Sequence, residues 1–263
     1  MHLPLSTALS PGLVVLEECG STNTELVARA DGLADFAVLV TDNQTSGRGR
    51  LGRQWVAPPG EAIAISVLLR PVLPSGEPLG LEHYGWLPLI SGLAMTRALA
   101  PVVPTHNVTL KWPNDVLVDG RKVSGLLGEL LQSGTALVMG AGVNLTISEA
   151  QLPTATSTSL ALNGAQTEGL ADAVLSGYLM QLQALYTAFL QAGADAQRSG
   201  ISALVNDLCS TLSQSVRVEL PGGDQLLGTA IDVDGSGRLR VRRSVDDAIV
   251  AVAAGDVTHL RYE

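Results

Sequence analysis

Apolar residues recur with period two, or in short β-branched runs, at 36–41, 62–69, 108–112, 116–118, 126–131 and 135–145, and each run predicts a strand. Three stretches carry helical spacing instead. Residues 23–30 follow a Ser-Thr-Asn start, with Glu25 in the first turn, where it suits the positive end of the helix dipole. Residues 85–99 predict an apolar helix with small side chains, and 169–192, with leucines and Tyr186 at helical spacing, predict a long amphipathic one. Strands and helices mix without strict alternation, which points to an α+β fold rather than a doubly wound sheet. Near Leu212 the character changes. Short runs at 216–220, 225–233, 239–243 and 248–252 are divided by Pro221-Gly222-Gly223 and Asp234-Gly235-Ser236-Gly237, and they predict a small appended β-barrel. The division expected is therefore 1–211 and 212–263. Residues 153–164, rich in Thr, Ser and Ala, read as a loop or linker, and no internal repeat is found.

Composition narrows the function classes. With 263 residues, 46% of them hydrophobic, the chain can bury a full core without a metal or disulfide scaffold. A net charge of −9 argues against sequence-independent nucleic-acid binding, so an anionic ligand needs a local basic cluster. Cys19 and Cys209 lie far apart and read as reduced thiols. Residues 1–17 contain no Lys or Arg, hence no basic signal-peptide start, and no uninterrupted apolar run reaches the ~18 to 20 residues of a membrane span. These features predict a soluble, cytoplasmic protein.

The chemistry concentrates in four motifs. The first is Gln44-Thr45-Ser46-Gly47-Arg48-Gly49-Arg50-Leu51-Gly52-Arg53-Gln54-Trp55. It contains G-x-G-x-x-G, but Pro58, Pro59 and Gly60 prevent a helix from following, so neither a dinucleotide fingerprint nor a Walker loop fits. What remains is a flexible glycine loop whose arginines, Arg48, Arg50 and Arg53, offer forked donors to carboxylate or phosphate. Trp55 could stack on a ring or close a lid. The second motif, Lys111-Trp112-Pro113-Asn114-Asp115, leaves one strand and enters another, with Lys111 able to project into the cleft that the loop covers and Asn114-Asp115 suited to an Asx turn. Gly140-Ala141-Gly142-Val143-Asn144-Leu145 closes a strand, its glycines admitting a backbone or flat ring. Ser21-Thr22-Asn23 is a helix N-cap signal whose neighbours could still meet a ligand. The four histidines show no metal-ligand spacing, and no Ser-His-Asp or Cys-His nucleophile is visible.

In this order and spacing, together with Lys122-Val123-Ser124-Gly125-Leu126-Leu127-Gly128-Glu129, these motifs resemble the biotin–protein ligases. The resemblance implies a class II tRNA synthetase-like mixed sheet flanked by helices, and an SH3-like C-terminal barrel. It implies ATP and Mg2+ as cofactors, and biotin contacts from Ser21, Thr22, Asn23, Gln44, Gly47, Arg48, Gly49, Arg50, Lys111 and Gly125. Arg53, Trp55, Asn114, Gly142 and Asn144 would serve ATP, and Lys111, Arg48 and Arg50 would stabilise the reacting charges, with no protein metal ligands. The implied partner is a biotin carboxyl carrier protein. Only about twenty residues precede Ser21, too few for a helix-turn-helix, so the ligase-only class without DNA binding is expected, and a homodimer is left open. A lipoate–protein ligase, a non-catalytic biotin-binding protein and a dehydrogenase are the rivals. The arginine loop favours biotin over lipoate, an intact Lys111 argues against mere binding, and a dehydrogenase lacks its helix.

Overall fold

The computed structural model describes residues 1–220, 223–253 and 255–260. The helices are α1 (Pro4–Leu9), α2 (Thr22–Arg29), α3 (Trp86–Leu99), α4 (Leu170–Gln191) and α5 (Ile201–Leu208). Strands β1 (Val14–Val15), β2 (Val38–Thr41), β5 (Ala62–Leu69), β6 (Val108–Lys111), β7 (Asp115–Val118), β8 (Arg121–Leu130) and β9 (Leu137–Asn144) build one sheet. Between β2 and β5 stands a separate hairpin, β3 (Gly47–Arg48) with β4 (Gln54–Trp55). The C-terminal strands are β10 (Ser215–Glu219), β11 (Gln225–Val233), β12 (Leu239–Arg243), β13 (Ile249–Val252) and β14 (Asp256–His259).

The main sheet runs β1-β2-β5-β9-β8-β7-β6. Its β1–β2 pair is parallel and the other pairs are antiparallel, so the expected mixed sheet is present. Alternation along each strand sends successive side chains to opposite faces. One face presents Val38, Val40, Ile63, Ile65, Val67, Met139 and Val143, which merge with α3 and α4 into the main core. Small residues let these layers approach: a Cβ on Gly92 of α3 would lie 2.5 Å from Leu110 of β6, and one on Gly177 of α4 would lie 3.3 Å from Ala98. Helix α4 has the length and apolarity of a membrane span, and it spends that apolarity inside the protein by burying Val174, Tyr178, Leu182 and Phe189. The other face carries a smaller cluster (Leu26, Ala30, Leu39, Leu68, Val138) under α2.

The C-terminal strands form their own antiparallel sheet, β13-β12-β11-β10-β14, as the appended-barrel reading expects. Of its first turn signal, Pro221 and Gly222 lie outside the described residues. The second turn, residues 234–237, is the joint to the rest of the protein. Trp86 Nε1 donates to Gly235 O at 2.9 Å, and Trp112 Nε1 donates to Gly237 O at 3.3 Å. Gly85 and Gly237 pack backbone to backbone, since a Cβ on Gly237 would lie 2.6 Å from the Gly85 carbonyl carbon.

Four local expectations change. Residues 153–164 are no free linker: Thr158, Ser159 and Leu160 are buried, and the segment bridges β8 through Lys122 and Ser157. Ser21 has N-cap backbone geometry but no capping side-chain bond. The arginine loop is an ordered hairpin, with Gly49 N donating to Arg53 O at 2.7 Å and a 3-10 turn over Arg50–Gly52. Beyond the hairpin strands, four elements lie outside the predicted stretches: α1, β1, α5 and β14. Helix α1 exists through tertiary contact: the Asp172 carboxylate accepts from Leu5 N at 2.8 Å, Ser6 N at 2.9 Å and Ser6 Oγ at 2.6 Å.

Burial pushes the Asp172 carboxyl up, but those hydrogen bonds outweigh it and hold it below the usual range. A depressed carboxyl stabilises the fold above its unfolded pKa (~3.9) and loses that contribution as pH falls through the folded value. Asp172→Asn is therefore expected to lower the unfolding free energy at neutral pH by about 1–3 kcal/mol. In urea titrations the gap from wild type should close as pH drops below about 4. A gap that stayed constant with pH would refute this clamp.

Candidate active site

Strand register explains why a cleft opens above the sheet. Across β2, β5, β9 and β8 one row on the α2 side reads Thr41, Ala64, Gly142, Gly125, and the next reads Leu39, Ser66, Gly140, Leu127. Apart from the flanking residues the floor is Ala, Ser and Gly, so side chains from elsewhere can rest on the backbone. Asn23 fills the space above Gly140, where a Cβ would lie 2.4 Å from its Oδ1. The Trp55 indole lies on Gly142, whose Cβ would be 2.4 Å from Cε2, and its edge reaches Gly125.

The walls come from two segments drawn together. Cys19 bridges Gln44, Thr45 N donates to Cys19 O, and Ser46 N donates to Gly20 O. This pairing brings Gln44 to the start of α2, where its Oε1 accepts from Thr22 N at 2.9 Å and Thr22 Oγ1 at 3.2 Å. Gln44 thus satisfies a first-turn N–H that a helix cannot bond internally, and Ser21 Oγ is not consumed as a cap. The resulting cleft is lined by Ser21, Thr22, Asn23, Gln44, Arg48, Trp55, Gly125 and Gly142 among the expected residues. Ala64, Leu127, Gly140 and Ala141 also line it, beyond the residues that the motifs assign.

Other expected residues lie around the cleft rather than in it. Gly47 allows Gln44 and the Trp55 carbonyl to approach closely, since its Cβ would sit 2.5 and 2.3 Å from them. The arginines diverge. Arg48 pairs with Glu129 at 2.5 Å, Arg50 donates to Asn114 Oδ1 at 2.9 Å and to Gly255 O at 3.1 Å, and Arg53 is exposed on the hairpin. Asn114 is therefore not an isolated Asx turn; it also donates to Leu126 O at 2.7 Å. Asn144 is buried at the end of β9 and donates to Thr158 O at 2.8 Å, which ties down the 153–164 segment. Lys111 sits opposite Asp115 at the end of β6, two strands beyond Gly125. A different lysine reaches the cleft. Lys122 Nζ is 3.0 Å from the position a Gly125 Cβ would occupy and pairs with Asp115 at 2.6 Å. Lys122 opens the motif that contains Gly125, and that adjacency was the signal available in the sequence. Among the described residues no group of three or more His, Cys, Asp or Glu could hold a metal ion.

Residues 19–144 match the model of the biotin/lipoate A/B protein ligase family, and residues 211–260 match that of the biotin protein ligase C-terminal domain. A biotin–[acetyl-CoA-carboxylase] ligase of Mycobacterium tuberculosis is 37% identical over 253 residues, 95% of this chain and 89% of that one. The chain belongs to the biotin–protein ligase family. A second member, from Paracoccus denitrificans, is 39% identical over half of the chain and 53% of its own length. The Aquifex aeolicus biotin protein ligase, solved in complex with biotin and ATP, superposes with a TM-score of 0.71 at 26% identity, covering 95% of this chain and 99% of that one. The Leishmania major ligase in complex with biotinyl-5-AMP gives a TM-score of 0.60 at 26% identity, covering 93% and 99%.

The seat of Trp55 can be tested without a ligand. Trp86 and Trp112 are 1% exposed, so a change at the cleft reports on Trp55. Gly142→Ala should lift the indole into solvent and move the emission to longer wavelength. An unchanged spectrum from a folded variant would mean that the indole does not rest on Gly142.

Proposed function

We propose that the protein is a cytoplasmic ATP-dependent biotin–protein ligase that adenylates biotin in this cleft and transfers it to a lysine of a biotin carboxyl carrier protein. The observation that carries the reading is the small-residue floor, walled at one end by Ser21, Thr22 and Gln44 and covered at the other by Trp55. The polar end offers hydroxyls and amides suited to a ureido ring. The flat glycine end, with an indole above it, suits adenine. On this reading, residues 1–211 carry the chemistry and residues 212–263 form the second domain.

A biotin carboxylate oxygen bonds to the α-phosphorus of ATP, the bond to the bridging β-oxygen breaks, and pyrophosphate leaves with that electron pair. One anion must approach another, so fixed cations at the junction favour the transition state. The contact of Lys122 with the Gly125 position supports it as an ammonium at that junction, with Arg48 at the cleft wall and Lys111 two strands beyond Gly125. Magnesium would travel with the triphosphate, whose oxygens are the hard ligands it prefers. In the second step the carrier lysine's neutral amine attacks the acyl carbonyl, AMP departs, and the amine's proton passes to solvent. Catalysis is then mostly positioning and electrostatics.

Biotin-dependent exchange of labelled pyrophosphate into ATP tests this reading. Wild type should exchange with biotin and not with lipoate. Lys122→Ala should lower exchange by about a hundredfold and Lys111→Ala by about tenfold. Exchange with lipoate alone would reassign the acid, and no exchange with either acid would leave only binding.

A further inference from the structure

At one end of the cleft three elements, α2, β3 and β8, meet on one carboxylate. Glu129 lies on β8 two positions beyond Leu127, on the same face. Its Oε1 accepts from Asn23 Nδ2 at 2.7 Å and from Arg48 at 2.7 Å, and its Oε2 accepts from the same Arg48 nitrogen at 2.5 Å. Asn23 is fixed from behind: its Oδ1 accepts from Ser66 Oγ at 2.6 Å, and its Nδ2 also reaches Leu127 O at 3.2 Å. Ser66, Asn23, Glu129 and Arg48 thus form one chain of contacts. It runs from the cleft floor through α2 and β8 to the arginine hairpin.

We infer that Glu129 is a positioning residue that latches the arginine hairpin over the cleft, acting through Arg48 and registering the hairpin against Asn23. The hairpin needs such a tether. Its two strands pair over two residues each, and its turn contains Leu51 at φ 55°, a conformation that favours glycine. A ribbon of that size does not hold itself closed in water. The Arg48 and Glu129 side chains are 47% and 24% exposed, so water competes for the pair. That makes the contact reversible, as a latch over a site that must admit and release ligands has to be. Glu129 touches no reacting atom in this scheme. Its effect is to set where Arg48 and Asn23 stand when the acid arrives.

This inference rests on the biotin reading of the cleft only for its consequence in turnover; the latch itself is measurable without ligand. Glu129→Gln separates the two contacts, because glutamine still offers an oxygen to Asn23 but no charge to Arg48. Hydrogen exchange of the ligand-free protein should show the amides of residues 46–55 exchanging about fivefold faster in Glu129→Gln than in wild type, with α3 and α4 unchanged. In steady-state assays the KM for biotin should rise about fivefold, more than any fall in kcat. Glu129→Ala, which loses both contacts, should exceed these effects; if it fails to fold, the glutamine variant still decides. Hairpin amides that exchange at the wild-type rate in Glu129→Gln would overturn the latch, as would faster exchange with an unaltered KM for biotin. Absence of biotin turnover in wild type would overturn the functional reading instead and leave the exchange result standing.

Discussion

The fold turns on a strip of missing side chains. Facing sheet and helix layers ordinarily fill the space between them, and a central strand forfeits about 0.8 kcal/mol for each methylene it does not bury. Here β5, β9 and β8 accept that loss over Ala64, Ser66, Gly140, Gly142 and Gly125, which stand side by side in two register rows. Their opposite faces carry Ile63, Ile65, Val67, Met139 and Val143 into the main core, so the strands stay anchored while one side remains open. Asn23 and Trp55 then rest on backbone. A larger side chain at Gly140 would expel Asn23, and one at Gly142 would expel Trp55.

Electrostatics follows from the same geometry. The protein is acidic overall, yet the cations around the cleft are each matched at short range: Arg48 to Glu129, Lys122 to Asp115, and Arg50 to the oxygens of Asn114 and Gly255. Clustered arginines in sequence suggested a shared anion, whereas in the fold Arg48 and Arg50 turn to separate partners. An incoming anion therefore exchanges places with a carboxylate instead of neutralising bare charges. Arg50 also links the hairpin to the C-terminal sheet, which docks through two indole N–H groups on the turn at 234–237. The barrel is consequently joined to the site and not merely appended to it.

Much of this was legible in the chain, for identifiable reasons. Periodicity located β5, β11 and β12 with their observed ends and placed α3 and α4 within a residue, because those elements bury one or both faces fully. Composition could not reveal α1, whose six residues are held by Asp172, 166 positions away from Ser6. Helix α5 has only eight residues, and β14 is defined by pairing with the distant β10. The motifs gave Ser21, Thr22, Asn23, Gln44, Arg48, Trp55, Gly125 and Gly142 as cleft residues. Among the lysines they pointed to Lys111. Lys111 stands in the more distinctive motif, but reach depends on strand order, and strand order puts β8 beside the cleft and β6 at the sheet's edge. Glu129, the last residue of the Lys122–Glu129 motif, and Ser66 carry no role in the sequence reading, because a lone carboxylate or serine on a strand has no pattern until its partners are in place.

A crystal structure with biotin and a non-hydrolysable ATP analogue tests the central claim most directly. The account predicts the biotin ring against Ser21, Thr22 and Gln44, the adenine over Gly142 and Gly125 with the Trp55 indole displaced from the floor, and the junction of the two ligands beside Lys122. Ligands bound away from the Ala64–Gly140–Gly142–Gly125 strip, or an adenine seated while Trp55 remains on Gly142, would contradict it.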